Sequence, residues 1–133
     1  MMNRILPQLI CKYQNDNSLD NLRDILDYLK VNCIYIPTKI KISKQKIFKL
    51  SSQEISFLLE KPYYFNQKKY FAVYSDCKFV LKNSNYFLEL NLNECFKIMK
   101  KLKLEMIVVD KSESKFLINK DIIEYLKYCL KVG

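Results

Sequence analysis

The chain has 133 residues, half of them apolar, with 23 basic against 14 acidic side chains and no histidine. That length has room for one domain around one core, and charges spread along an apolar-rich chain are the composition of a globular protein rather than a disordered one. Tryptophan is absent and the single glycine is Gly133, which excludes glycine-rich phosphate loops, nucleophile elbows, histidine relays and most zinc sites.

Residues 1–17 read as an N-terminal extension. Pro7 and Gln8 interrupt the apolar stretch after Arg4, leaving it too short for a signal-peptide core. Gln8 also stands where a lipid-attachment cysteine at Cys11 would need a bulky apolar residue. A helix is predicted over residues 18–31, with Leu19, Leu22, Leu26 and Leu29 on one stripe and Ile25 widening it. Asn17 or Ser18 can cap it, Asp20 suits its N-terminal end, and Asn32 ends it. The run Cys33-Ile34-Tyr35-Ile36 predicts a buried strand stopped by Pro37.

Residues 38–66 read as a variable insertion or loop. Its first part, through Leu50, carries Lys39, Lys41, Lys44, Lys46 and Lys49 with no acidic residue, and fits an edge strand or a long loop. Those lysines form either a basic lip for an acidic partner or a guard against edge-to-edge aggregation. Ser51-Ser52-Gln53-Glu54 has the capping-box form before Ile55, Phe57, Leu58 and Leu59, which predicts a short helix ending before Pro62. Tyr63, Tyr64 and Phe65, followed by Lys68, Lys69 and Tyr70, make the candidate partner-binding segment. The competing expectation is that these aromatics pack beneath the preceding loop.

A strand is predicted at 70–74, with turn or cap chemistry at Ser75-Asp76. Tyr86, Leu88, Leu90 and Leu92 alternate as in a half-buried strand. Asn91 or Asn93 then starts a helix through about Lys103, burying Cys95, Ile98, Met99 and Leu102 and leaving Lys97, Lys100 and Lys101 on a solvated face. Met106-Ile107-Val108-Val109 predicts a central strand, and a polar turn from 110 to 114 leads to Phe116-Leu117-Ile118 as a hairpin. A last helix is expected over about 121–131, burying Ile122, Tyr125 or Leu126, and Cys129 or Leu130. This order argues a single α+β domain, with a small mixed or antiparallel sheet packed with about three main helices.

Cys11, Cys33, Cys77, Cys95 and Cys129 are odd in number and widely spaced, and all but Cys77 sit among apolar neighbours, which reads as buried free thiols in a reducing cytosol. No thiolate pair or histidine suggests a metal, no cofactor is expected, and no apolar run approaches the length that spans a bilayer. Arg4 and Arg23 are the only arginines among the 23 basic residues, so the remaining 21 are lysine. Lysine is a point charge suited to general solubility, whereas specific recognition of bases or phosphates favours arginine's planar fork.

Several of these segments together resemble the SseB N-terminal domain family. The likeness is carried by Tyr70-Phe71-Ala72-Val73-Tyr74-Ser75, by Leu90-Asn91-Leu92-Asn93-Glu94-Cys95-Phe96, by Met106-Ile107-Val108-Val109-Asp110, and by Phe116-Leu117-Ile118 with the helix beginning Lys120-Asp121-Ile122. The helix at 22–29 and the strand ending at Pro37 match the family's opening, so the resemblance covers roughly residues 18–130 with 38–66 unmatched. Asp110-Lys111-Ser112-Glu113-Ser114 replaces the Asn-Pro pair and glycine that the family often has. The resemblance implies a bacterial cytoplasmic α+β domain without an established catalytic residue set.

The expected function is a non-enzymatic cytoplasmic protein-binding module, regulatory or toxin-neutralising, whose expected partner is another protein, an acidic one included. The alternative is a nucleic-acid-binding protein that stacks bases on the tyrosines and sets lysines on phosphate. For an enzyme the candidate acids and bases are Asp76, Glu89, Glu94 and Asp110, with no pairing evident from spacing. The sequence leaves the oligomeric state open.

Overall fold

In the computed structural model, which describes residues 5–59, 62–82 and 84–132 without the side chains at 126, 127 and 129–132, the chain opens with helix α1 (Ile5–Asn15). The sequence assigns this segment to a bare extension. Leu6 and Ile10, four residues apart, are both buried in the main core. Pro7 lies in the first turn, where a residue without an N–H breaks no helical bond, so the helix survives the interruption.

Helix α2 (Leu19–Val31) is capped by Ser18, whose hydroxyl accepts the Asn21 N–H at 3.3 Å. Its buried stripe is Leu22, Ile25, Leu26 and Leu29, while Leu19 is 64% exposed. Leu19 falls at the margin of that stripe, and Asn21 turns inward instead, donating to Asp16 O at 2.7 Å to close the α1–α2 turn. Strand β1 (Ile34–Thr38) runs through Pro37 rather than stopping there. Pro37 is paired only on one side, to Phe87, and one-sided pairing is the position a strand proline tolerates.

Next come α3 (Lys44–Ile47), capped by Ser43, and α4 (Ser52–Leu58), with the expected capping box between Ser51 and Glu54. Of the edge strand or long loop expected for 38–50, the loop is the one found, interrupted by α3, and Ile47 turns into the core with no exposed surface. Strand β2 (Tyr63–Phe65) and strand β3 (Lys68–Tyr74) form a hairpin, followed by α5 (Cys77–Val80), strand β4 (Tyr86–Leu90) and α6 (Leu92–Leu102). Asn91 and Glu94 cap α6 reciprocally, so Leu92 opens the helix, buried, instead of ending a strand. Strands β5 (Met106–Val109) and β6 (Lys115–Ile118) form the expected hairpin, and α7 (Lys120–Val132) follows. Ile122 is buried and Tyr125 half-buried; the side chains of Leu126, Cys129 and Leu130 lie outside the described residues.

The fold is a single small α+β domain with a mixed sheet, its strands ordered β4-β1-β3-β5-β6 and β2 added to β3. Among the described strands only β3 and β5 run parallel. Alternation assigns each strand residue to a face. Ile34, Ile36, Phe71, Val73, Leu88, Leu90, Met106, Val108, Phe116 and Ile118 share the main core with α1, α2, α3, α4, α6 and Ile122 of α7. The opposite face has a smaller core of its own, covered by α5 and the β2–β3 hairpin. Between β1 and β3 the ladder is a single pair, Tyr35 with Tyr74, whereas β1 and β4 pair over five residues.

Candidate binding surface

The candidate segment at 63–70 is the β2–β3 hairpin. Its two turn residues, Asn66 and Gln67, have φ of 51° and 66°, the left-handed pair that a tight two-residue turn requires. The turn fixes the register Tyr63 with Tyr70, Tyr64 with Lys69 and Phe65 with Lys68. Period-two alternation then splits the six residues. Tyr63, Phe65, Lys68 and Tyr70 share one side, and Tyr64 and Lys69 the other.

The candidate segment is therefore divided between the two sides of the hairpin. Tyr70 is 6% exposed, packed with Ile107 and Val109, and is closed to a partner. Tyr64 is 67% exposed but points the other way. Lys68 is paired with Glu105, which raises the lysine's pKa and lowers the carboxyl's, the side-chain hydrogen bond being the largest cause in each.

What the hairpin does build is an aromatic sheet face. Tyr63, Phe65, Ala72, Tyr74, Phe79 and Leu117 are all half-buried around Tyr70, Ile107 and Val109. Tyr74 and Phe79 lie 5.7 Å apart, and farther along the sheet Tyr35 meets Phe87 edge-on at 5.5 Å. Lysines stand over three of the rings: Lys68 over Tyr70 at 5.5 Å, Lys82 over Phe79 at 5.8 Å and Lys115 over Phe65 at 6.0 Å. Burial, then the neighbouring Tyr63, holds the Tyr74 phenol above its ordinary range. Tyr35 is pushed up to about 12, first by burial and then by Glu89, whose carboxylate accepts the Tyr35 hydroxyl at 3.3 Å.

The expected basic patch is dispersed. Lys44 is bound to Glu94 at 3.2 Å, and Lys39 stands over the exposed Phe57 ring at 5.3 Å. Lys41, Lys46 and Lys49 are exposed, on a segment that winds through bends and α3 instead of lying along one edge. Its end is fastened by Lys101, which donates to Phe48 O at 2.8 Å and Leu50 O at 3.0 Å.

The four carboxylates considered as acids or bases all have structural partners. Asp76 caps α5 through the Lys78 N–H at 2.8 Å, Glu89 holds Tyr35, and Glu94 caps α6 and binds Lys44. Asp110 is 3% exposed and accepts from Ser75 Oγ at 2.6 Å, Ser112 Oγ at 2.9 Å and the Ser112 N–H at 3.2 Å. Among the described residues no three His, Cys, Asp or Glu side chains gather where a metal could bind.

Burial does not hold for all the thiols. Cys95 is buried, which pushes its pKa up, but Cys77 is half-buried and Cys11 and Cys33 are exposed. Cys11 lies off the Leu6–Ile10 stripe, and Cys33 sits between α2 and β1, outside both buried faces. Cys129 lies outside the described side chains. No described helix is long and apolar enough to cross a membrane. Comparisons with family models, with curated proteins and with solved structures find no match for this chain.

Proposed function

We propose that this chain is a non-enzymatic protein-binding module acting in the bacterial cytoplasm, regulatory or toxin-neutralising in role, as its resemblance to SseB N-terminal domains implies. The observation that carries the reading is the sheet's second face, where half-exposed aromatic rings lie under lysine ammonium groups and no long described helix covers them. Tyrosine and phenylalanine supply rigid contact area, and such residues anchor protein interfaces. A continuous apolar patch ringed by polar groups is a common mark of an interaction site. The structural work of Asp76, Glu89, Glu94 and Asp110 also supports a binding role over a catalytic one.

The test is tagged purification from the native host at low and high salt, with and without nuclease, followed by mass spectrometry. The expected result is one stoichiometric protein that survives nuclease and is lost from a Phe65→Ala variant whose circular dichroism is unchanged. Nucleic acid that co-purifies and departs with nuclease or salt would overturn the reading.

A further inference from the structure

One face of α6 and the first turns of α7 flank a groove of about 720 Å³. Its floor is apolar: Phe96 and Met99 are buried at its base, and Leu104 and Ile123 are half-exposed above them. Its rim is cationic, with Lys97, Lys100 and Lys103 on one wall and Lys120 on the other, all exposed. Two carboxylates also line it, Glu105 and Glu124. Glu105 is already held by Lys68 and by the Lys120 N–H at 3.1 Å, so it subtracts little from the positive field. The same residue joins the groove to the turn end of the β2–β3 hairpin, where Lys68 stands.

We propose that this groove binds an acidic segment of the partner protein, seating an apolar side chain on the floor and carboxylates on the lysine rim. The inference rests on the protein-binding reading and adds the chemistry of what is bound. Charge complementarity selects the sign of the occupant. Lys97 and Lys100 follow each other by about 4.5 Å along the helix axis, which suits carboxylates three or four residues apart on a helical segment. A nucleic-acid strand would satisfy the lysines but leave Leu104 and Ile123 in water, whereas a peptide with an apolar anchor covers both.

The experiment uses fluorescence anisotropy of a labelled amphipathic peptide with leucines at i, i+4 spacing flanked by glutamates, and of its counterpart with lysines for glutamates. The full chain is compared with Lys97→Glu/Lys100→Glu and with Lys30→Glu, an exposed lysine of α2 outside the groove lining, each checked for folding. The wild type binds the acidic peptide and rejects the basic one, the double reversal weakens binding by about tenfold or more, and Lys30→Glu leaves it unchanged. Equal binding to the double reversal, no binding to the wild type, or displacement by a single-stranded oligonucleotide in preference to the peptide would overturn the proposal. If the partner captured from the native host is retained by the double reversal but lost from Phe65→Ala, the groove assignment fails while the protein-binding reading stands. If nuclease removes all that is captured, both fail.

Discussion

Replacing Asp110 with alanine tests whether the turn after β5 is held by its carboxylate. The Asp110 backbone already bonds within the turn, its N–H donating to Ser114 O at 2.9 Å and its carbonyl accepting the Glu113 N–H at 2.8 Å. The side chain adds two hydroxyls and one N–H, and links β5 to Ser75 at the end of β3. In Asp110→Ala the exposed Ser112 turns to water at a cost of about 1 kcal/mol, while the half-buried Ser75 hydroxyl loses a charge-assisted bond worth about 2 kcal/mol. The expected loss is about 3 kcal/mol, a fall in melting temperature of roughly 10 °C for a chain of this size. Asn at this position keeps the shape and accepts the Ser112 N–H, so Asp110→Asn should lose about 1 kcal/mol. Urea unfolding of Asp110→Ala, Ser75→Ala and the double variant measures the shared bond directly, with an expected coupling of at least about 1 kcal/mol. A coupling below about 0.3 kcal/mol, or a loss in Asp110→Asn equal to that in Asp110→Ala, would refute the reasoning.

Gln67, with φ of 66°, is held in a conformation that glycine adopts without steric cost. Gln67→Gly should therefore stabilise the chain by about 0.5–1 kcal/mol and Gln67→Val destabilise it; thermal melts of the pair check the sign. Burial is the largest cause holding Tyr28, Tyr35 and Tyr74 above the usual phenol range. Unfolded phenols ionise near about 10, so the stability these neutral groups confer is complete below that pH and is lost as pH rises through the Tyr35 value of about 12. A melting temperature that stays constant across this interval, or an ultraviolet titration whose latest phenol step persists in Tyr35→Phe, would contradict that account. Alkylation of the native protein should modify the exposed Cys11 and Cys33 before Cys95, which has no exposed surface; peptide mass mapping with equal rates at all three would place Cys95 outside the core.

The regular elements were legible because their periods are strong. The stripe of α2, the alternation of β4, the apolar run of β5 and the Ser51–Glu54 capping box each declare themselves within a few residues. Helix α1 is hidden because Pro7 and Gln8 break its apolar run, although Leu6, Ile10 and Tyr13 keep a helical spacing that was there to be found. Strand β2 has only three residues, and its turn is Asn-Gln where a sequence signal would be Asn-Gly. The aromatic segment was legible as composition, but which tyrosine is buried depends on register, and that follows from the turn. The groove could not be read, because Lys97 and Lys100 meet Lys120 only through the tertiary placement of α6 and α7. Asp110 looked like any surface carboxylate, since its partner Ser75 lies 35 residues away.

The single Tyr35–Tyr74 pair gives the sheet an unusual mechanics. A β4–β1 ribbon and a β2–β3–β5–β6 ribbon meet along a seam with almost no backbone ladder, so they act as two plates on a common backing. The helical layer, packed on both plates, is that backing. Rotation between the plates is resisted by side-chain packing and that one backbone pair, and it would tilt Tyr35 and Phe87 against Tyr74 and Phe79. A partner seated across the aromatic face would straddle this seam and lock the angle between the two halves.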